Sequence, residues 1–552
     1  MNENLKRMFN SVDRESRKRI ALEQSWKFNY SRHTIPEQSF KTIALLANCS
    51  VEEVKEYFEF DLNGVENSDD FLIEGGRESS KTISPAFQNI LLKEHYHLKT
   101  LKNVIIRRIL ESDLRHLCDH CVTTIFSGYW MCSFCGTEIC LDCYDEWNDL
   151  SRSRCKKGRV HKKDKYFPIT RLTLHDVQNL LDSVSNVISN KNDKINENWS
   201  RSFTLQTKWI DGEMNIDQFQ YMWRLGIPFM ISGFYEKLTH RLWTPKYFSN
   251  QFGEAICSCI DVVTKTSRKL KVGDFFAGFS YSSQNEKSYS PCLKIKDWPP
   301  NEDFAKAFPL HFNDFMFALP FKKYTHRNGA FNLASRLPPK TNPPDLGPKM
   351  YNAYGSTDEV GGKGTTNLHL DMTDAVNIMT YATPFEQRSK YEQQFSHAAV
   401  WDIYKMDDLP SLCKFLRKVA REQEIIIDHP IHDQCFYLDK SLRKRLLKEY
   451  GIRGVRIYQN PGDVVFVPAG CAHQVCNYTS CIKVALDFVS PEGVERSYKI
   501  TRQFRTLMSD HKRKEDILQL SNVLFHTWIT ITYKTDLQNS KGFFDKIKNW
   551  FS

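Results

Sequence analysis

The feature that most constrains the fold is a set of closely spaced cysteines between residues 118 and 161. Three Cys-x2-Cys pairs fall within twenty-six residues, and a further cysteine and a histidine follow. Each pair places two thiolates on one tight turn, which suits tetrahedral zinc, and eight ligands make two closed sites. So short a segment depends on metal for its folding energy. The spacing predicts a structural two-zinc module, and the alternative is a set of merely buried cysteines.

We expect the zinc ligands to pair in an interleaved order. One zinc takes Cys118, Cys121, Cys140 and Cys143. The other takes Cys132, Cys135, Cys155 and His161. His120 competes with His161 for the last position. Six basic residues between 156 and 165 are a solvated face by default, with a nuclear localisation patch or a phosphate contact as the alternative.

The composition is that of an ordinary globular protein. Of 552 residues, 41% are apolar and 26% charged, which supports at least one sizeable core. The net charge of +10 permits contact with chromatin or RNA without requiring it. The polar first residues argue against a secretory signal, and no apolar run is long enough to span a membrane. We therefore expect the sixteen cysteines to be metal ligands or buried thiols in a reducing compartment.

The residue pattern divides the chain into five regions. They are a helical N-terminal region (1–110), the zinc module (111–165), a helical connector and linker (166–199), a β-rich region (200–505) and a C-terminal helical tail (506–552). Residues 42–58 resemble two helices joined by a turn, and the acidic second helix favours a helical bundle over a DNA reader. Short β-rich runs broken by Pro, Gly and Asn predict a barrel or jelly roll with helices outside. The amphipathic stretch 543–551 is more typical of a docking helix than of a membrane-surface helix.

Two histidines and a carboxylate in the β-rich region form a candidate metal site. His369 and Asp371 end an alternating run, and residues i and i+2 of a strand share a face. Residues 461–470 are typical of a strand and turn that lead to His473. This donor set is the facial triad of non-haem iron oxygenases, which leaves positions open for 2-oxoglutarate and O2. For His-x-Asp alone, the alternative is a chance surface pair.

Over residues 200–505 the sequence resembles the JmjC histone demethylases, specifically the subgroup related to hairless that acts on lysine nine of histone H3. The matching segments are 219–233, 297–300, 332–338, 344–355, 365–377, 433–434, 437–439, 462–475 and 481–485. The family also carries a cysteine-rich zinc module before the barrel, which matches 118–161. The resemblance implies a mixed α+β fold around a JmjC double-stranded β-helix, a cupin-like jelly-roll barrel with surrounding helices.

The resemblance also implies roles for individual residues. It matches the iron ligands to His369, Asp371 and His473. Thr366 matches a hydroxyl that bonds the distal carboxylate of 2-oxoglutarate, and Tyr354 resembles a tyrosine that reaches the same carboxylate. Asn377 matches an amide that lines the pocket. For Thr366 and Tyr354, ordinary strand packing is the alternative.

One position departs from the family pattern. Many JmjC enzymes place a lysine on the strand after the His-x-Asp segment, and here residues 381–385 contain no cation. A dianionic co-substrate in a buried pocket needs a positive partner. We expect Lys483 to supply it, because packing does not explain a lysine in an otherwise apolar strand. Without a cation at Lys483, the resemblance implies weak co-substrate binding and low activity.

The resemblance implies oxidative demethylation of mono- or dimethyl-lysine nine of histone H3, in the nucleus, as part of chromatin and transcription regulation. Iron(II), 2-oxoglutarate and O2 are the expected cofactors and co-substrates, with structural zinc. The expected partners are a methylated histone tail and chromatin or transcription factors; direct DNA binding is left open, and no membrane contact is expected. The alternatives are a JmjC protein hydroxylase, which releases no formaldehyde, and a catalytically silent chromatin scaffold.

Overall fold

The computed structural model describes residues 68–101, 104–107, 115–147, 160–189, 208–281, 292–299, 302–338, 341–508 and 511–535. Four features expected from the sequence lie outside these residues: the helix pair at 42–58, the zinc ligand Cys155, the linker at 193–199 and the amphipathic stretch at 543–551. Within the described part of the chain, no helix is long and apolar enough to cross a membrane.

The strands form one small sheet and two larger ones. The small sheet consists of β1 (Ile105–Ile106), β2 (Tyr129–Cys132), β3 (Glu138–Cys140) and β4 (Tyr166–Thr170), in the order β1-β4-β2-β3. A nine-stranded sheet contains β5 (Lys208–Ile210), β6 (Phe229–Ser232), β7 (Ile256–Asp261), β8 (Ser267–Lys271), β9 (Leu293–Trp298), β10 (Lys349–Ala353), β12 (Asp374–Ala382), β15 (Val464–Val467) and β17 (Cys481–Phe488). Its order is β5-β6-β15-β12-β17-β10-β9-β7-β8. A four-stranded sheet contains β11 (Thr366–His369), β13 (Ala399–Tyr404), β14 (Val455–Gln459) and β16 (Ala472–Asn477), in the order β11-β16-β13-β14.

Helices pack around these sheets. They are α1 (Ser68–Thr100), α2 (Leu141–Asp145), α3 (Leu174–Ser189), α4 (Ile216–Arg224), α5 (Pro245–Phe252), α6 (Val272–Tyr281), α7 (Phe304–Ala307), α8 (Pro309–Ala318), α9 (Lys322–Thr325), α10 (Leu409–Glu422), α11 (Lys440–Tyr450), α12 (Val494–Phe504) and α13 (Leu520–Thr535). Helices and sheets in one core confirm the mixed α and β fold expected from the residue pattern.

Alternation along the strands separates an outer core from an inner one. In β15, Val464 and Phe466 pack with the helices, whereas Val465 and Val467 pack toward the four-stranded sheet. The inner cluster joins side chains of both large sheets: Met230, Ala375, Trp401, Ile403, Val455, Ile457, Val465, Val467, Cys471 and Val475. The two large sheets therefore pack face to face, and alternate residues of their strands point into the space between them.

The first and last described helices share one core with helices of the β-rich region. Buried residues of α1, α3, α10 and α13 belong to a single apolar cluster. Within it, the rings of Phe87 on α1 and Trp528 on α13 lie 5.8 Å apart. The backbone N–H of Gly128, next to β2, donates to Oε2 of Glu94 on α1 at 2.7 Å. Helix α1 therefore contacts both the tail helix and the cysteine-rich module.

The observed elements differ from the expected regions at two places. Residues 166–170 were expected to open the connector, but they form β4, which pairs with β2 and β1 in the small sheet. The helical region expected to reach residue 110 ends at Thr100, and Ile105–Ile106 follows as a strand. In both places, pairing with the small sheet provides backbone hydrogen bonds that single-sequence patterning does not reveal.

A core truncation tests the outer aromatic packing. The ring of Phe466 is fully buried and lies 4.8 Å from Phe229 and 5.7 Å from Phe219. Replacing Phe466 with Ala removes these contacts and leaves a cavity, so we expect the free energy of unfolding to fall by about 3–5 kcal/mol. Denaturant titration measures it. The matched variant Phe385→Ala removes a ring that is 48% exposed and should shift the midpoint far less; equal shifts would contradict the assigned core.

Candidate metal centres and co-substrate pocket

Three side chains converge in the space between the two large sheets. His369 ends β11, Asp371 follows it, and His473 lies on β16, where it stands opposite His369 in the strand register. Oδ2 of Asp371 lies 3.9 Å from Nε2 of His369 and 3.7 Å from Nε2 of His473. One ligand atom from each residue falls within 4.8 Å of the others. This spacing and donor set suit one divalent transition metal.

Backbone hydrogen bonds orient both imidazoles. Nδ1 of His369 lies 2.8 Å from the carbonyl oxygen of Asn367, and Nδ1 of His473 lies 3.1 Å from that of Cys471. A carbonyl only accepts, so each Nδ1 carries the proton and donates it. Each Nε2 then has a lone pair that faces the Asp371 carboxylate. Metal-ligating histidines are commonly fixed in this way by a partner on the other ring nitrogen.

A β-bulge brings Thr366 to the same face as the triad. Thr366 pairs with Val475 and His369 pairs with His473, so a step of three residues along β11 matches a step of two residues along β16. Directly opposed residues of an antiparallel pair share a face, and Val475 belongs to the inner core. On a regular strand, positions 366 and 369 would face opposite sides. The extra residue of the bulge turns both toward the interior.

The charge states of the triad suit cation binding. Burial and, to a lesser extent, the nearby His473 lower the pKa of His369 to about 3, so the ring is neutral at physiological pH. Burial raises the pKa of the Asp371 carboxyl, but its interactions with the two histidines, Arg513 and Lys349 outweigh burial and hold the pKa below its usual value. A neutral His369 and an ionised carboxylate are the states in which these groups bind metal.

A buried lysine lies beside the triad. Lys483 on β17 is 4% exposed, and its Nζ donates to Oδ1 of Asn477 at 2.8 Å. Nζ also lies 5.2 Å from the ring centre of Trp401, which stacks on His473 at 5.9 Å. Burial lowers the pKa of Lys483 to about 8. On the adjacent strand β12, Oδ1 of Asn377 is buried without a hydrogen-bond partner among the described residues. A buried cation and an amide oxygen without a partner among the described residues indicate an anion-binding pocket.

The structure places Tyr354 away from this pocket, contrary to the role implied by the resemblance. Its hydroxyl donates to the carbonyl of Phe275 at 2.8 Å, and its ring packs in the outer core at 5.1 Å from Phe275 and 5.7 Å from Phe279. Tyr354 follows β10 by one residue, and strand alternation directs it to the helical side of the sheet. We therefore leave Tyr354 out of the candidate site.

Two residues of the pocket were not identified from the sequence. Asn477 lies four residues after His473 on β16, so both point to the same face, and this spacing could have revealed it. Trp401 on β13 gave no such signal, because its place beside His473 depends on the pairing of β13 with β16. Its indole N–H donates to Oε1 of Gln459 at 2.8 Å, which fixes the ring between Lys483 and His473.

The cysteine-rich module holds two separate groups of potential ligands. Cys118, Cys121, Cys140 and Cys143 converge within 4.8 Å, and the Sγ atoms of Cys121 and Cys140 lie 3.7 Å apart. The second group contains Cys132, Cys135 and His161, with 3.4 Å between Sγ of Cys135 and Nε2 of His161. This is the interleaved order expected from the spacing, apart from Cys155, which lies outside the described residues. The competitor His120 is in neither group.

Comparison with known proteins places the site in a family context. Residues 386–488 match the family described as JmjC domain, hydroxylase. Lysine-specific demethylase 3A of Rattus norvegicus is 44% identical over 351 residues, which cover 57% of this chain and 29% of that protein. Lysine-specific demethylase 3 of Drosophila melanogaster is 40% identical over 341 residues, 56% of this chain and 40% of that protein. Lysine-specific demethylase JMJ26 of Arabidopsis thaliana is 34% identical over 363 residues, 56% of this chain and 42% of that protein.

These matches define what the chain shares with its relatives. The family match includes His473 and Lys483. The chain spans less than half the length of each of the three relatives. Residues 386–488 therefore match the JmjC domain family, and over more than half of its own length the chain is similar to lysine-specific demethylases.

Proposed function

We propose that the chain is an iron(II)- and 2-oxoglutarate-dependent oxygenase that removes methyl groups from histone lysine. The observation that carries the proposal is the convergence of His369, Asp371 and His473 beside the buried cation Lys483. An iron site alone would not require a buried lysine, whereas a site that also binds a dianionic co-substrate does. The relatives named lysine-specific demethylase support lysine as the substrate class.

We further propose that the two facing sheets form the JmjC double-stranded β-helix, and that the chain belongs to the subgroup related to hairless. The inner core shared by the sheets supports the barrel. The subgroup rests on the sequence resemblance, which also favours mono- and dimethyl-lysine nine of histone H3 as substrate. The chain then acts in the nucleus on methylated histone tails, in chromatin and transcription regulation.

His369, Asp371 and His473 would hold the iron. With 2-oxoglutarate and O2, iron supplies an oxidation that hydroxylates an N-methyl group, and the product releases formaldehyde. The protein's part is to fix the two imidazole donors before metal arrives, through the carbonyls of Asn367 and Cys471. The Asp371 side chain is 34% exposed, compared with 7% for His473, so the methylated side chain enters from the Asp371 side.

Lys483, Thr366 and Asn377 would bind 2-oxoglutarate. Residues 381–385, at the end of β12 and just after it, contain no cation. Lys483 supplies the positive charge instead, from the neighbouring strand β17. Met379 on β12 is its register partner, so the lysine lies on a neighbouring strand at the same level of the sheet. The bulge in β11 directs Thr366 inward, and the unsatisfied amide of Asn377 lines the same interior. Asn477 accepts from the ammonium group, and the ring of Trp401 contacts both Lys483 and His473.

The direct test is a product assay. The purified chain, with iron(II), 2-oxoglutarate, O2 and H3 peptides methylated at lysine nine, should form succinate and formaldehyde in equal amounts. Asp371→Ala removes a metal donor and should abolish both products. Succinate with an oxidised peptide and no formaldehyde would indicate a hydroxylase. Neither product from the wild-type chain would indicate a scaffold and overturn the proposal.

Replacement of Lys483 tests the co-substrate site. Lys483→Met removes the positive partner of the distal carboxylate, so we expect KM for 2-oxoglutarate to rise at least about tenfold, the effect of losing one charged hydrogen bond. Metal binding should remain, because Lys483 is not a ligand. The control Lys499→Met removes a lysine that is 58% exposed and should leave KM unchanged. An unchanged KM in Lys483→Met would place the dianion elsewhere.

The pH dependence of co-substrate binding follows from the same lysine. The Lys483 amine, with a pKa of about 8, is charged below that pH and neutral above it. Because 2-oxoglutarate stays dianionic, its affinity should be constant below pH 8 and fall by about tenfold per pH unit above it. Titration with manganese(II) in place of iron(II) measures this without turnover. The profile of Lys483→Met should be flat across the same range.

We also propose that the module binds two structural zinc ions. The two ligand groups support this, and Cys155 would complete the second group. Cys140→Ser removes one thiolate from the four-cysteine group, so we expect zinc content to fall from about two to about one per chain. Cys413→Ser alters a buried cysteine outside both groups and should keep both zinc ions. Unchanged zinc in Cys140→Ser would contradict the assignment.

A further inference from the structure

A segment after the barrel, residues 511–519, runs from the iron site to the zinc module, and we call it the strap. It lies beyond the family match, which ends at residue 488. We propose that Arg513 of the strap is a positioning residue that orients the iron ligand His369 through two intermediate residues. The inference rests on the proposed function, because it concerns the same metal site.

The path from Arg513 to His369 consists of three hydrogen-bonding steps. The side-chain amide of Gln434 is oriented with its oxygen toward Arg513, and this oxygen accepts from the Arg513 guanidinium. The backbone oxygen of Gln434 accepts from Nδ2 of Asn367 at 2.8 Å. The backbone oxygen of Asn367 in turn accepts from Nδ1 of His369 at 2.8 Å. Asn367 therefore fixes the imidazole, and Gln434 fixes Asn367.

The turn that carries Gln434 is held in an unfavourable conformation. Gln434 has φ of 55°, in the left-handed region that non-glycine residues adopt only when their surroundings impose it. Asp433 caps the preceding turn by accepting from the backbone N–H of Asp428 at 2.7 Å and of His429 at 2.9 Å. The strap reaches the same carboxylate, with Nε2 of His511 3.2 Å from Oδ1 of Asp433. His511 and Arg513 thus hold two successive residues of this turn.

The other end of the strap is anchored on the cysteine-rich module. The N–H of Asp516 donates to the carbonyl of Val122 at 3.1 Å, and its side chain accepts from the N–H of Thr124 at 3.2 Å. Val122 and Thr124 follow the ligand-group member Cys121. Asp516 is 4% exposed, so these bonds are shielded from water. Arg513 therefore lies between two fixed points, which limits its freedom to leave Gln434.

Positioning and simple electrostatics predict opposite effects of removing Arg513. The charge of Arg513 is close enough to act on His369 and Asp371. A cation so near a divalent metal repels it, so charge removal alone should strengthen metal binding. Loss of orientation should weaken metal binding instead, because the imidazole must then be fixed by the metal itself. The sign of the change therefore identifies which role Arg513 has.

The test measures metal affinity directly, with cobalt(II) and manganese(II) titrated into the full chain without turnover. We expect Arg513→Gln to bind both metals about tenfold more weakly, at the lower end of the effect of outer-sphere partners. Arg513→Lys keeps the charge but not the planar fork, and it should also bind more weakly. The control Lys512→Gln removes an exposed cation one residue away and should bind like the wild type. The cobalt(II) absorption spectrum should change in the two Arg513 variants alone.

A second variant tests the path. Asn367→Ala removes the amide that donates to Gln434 and retains the backbone carbonyl that accepts from His369. If the path exists, the double variant Asn367→Ala/Arg513→Gln should bind metal no more weakly than whichever single variant binds more weakly. If the two residues act independently, the fold-losses in affinity of the single variants should multiply in the double variant. Thermal unfolding identifies variants that have lost their fold. If Arg513→Gln is among them, the metal affinity of Arg513→Lys tests the positioning role instead.

Each outcome has a definite meaning. Wild-type affinity or tighter binding in Arg513→Gln, or multiplicative effects in the double variant, would overturn the positioning role. Failure of the wild-type chain to bind either metal would overturn the proposed function itself. A metal affinity that falls in Lys512→Gln as much as in Arg513→Gln would show that a general disturbance of the strap, not loss of the hydrogen-bonded path, weakens binding, and it would overturn the positioning role.

Discussion

In the antiparallel pairing of β11 with β16, His369 stands opposite His473, and this contact determines the geometry of the whole site. The ladder sets the separation of the two imidazoles, and the carbonyls of Asn367 and Cys471 set their rotation. The bulge in β11 adds Thr366 to the same interior, and the stacking of Trp401 on His473 extends the site toward Lys483. The metal-ligand strands and Thr366 therefore belong to the four-stranded sheet, whereas Lys483 and Asn377 come from the facing nine-stranded sheet.

Strand periodicity explains which parts of the site could be predicted from the sequence. His369 and Asp371 lie two residues apart, and the cysteine pairs have their ligands on single tight turns, so local spacing was sufficient to group them. Lys483 was identified because a lysine in an apolar strand has no role in packing. These groups lie together as expected, while the identities of their metals and the role of Lys483 remain proposals.

The parts that were missed depend on contacts between distant segments. Tyr354 matched a motif position, but the alternation of β10 turns it into the outer aromatic core beside Phe275. Trp401 lies next to His473 only because β13 pairs with β16. Residues of β4 form a strand because they pair with β2. Arg513 lies 40 residues after His473 and 142 residues after Asp371 in the sequence. Single-sequence patterns contain no information on such pairings.

The attachment of α1 and α13 to one another has a consequence for how the chain is made. Phe87 packs against Trp528, and these two rings are separated by most of the sequence. During synthesis, the apolar face of α1 leaves the ribosome long before its partner exists. The part of that face that α13 covers must remain open to solvent, or covered by a chaperone, until α13 emerges. Chains truncated before residue 520 would thus keep this apolar surface of α1 exposed. Quality-control proteases recognise such exposed apolar surfaces.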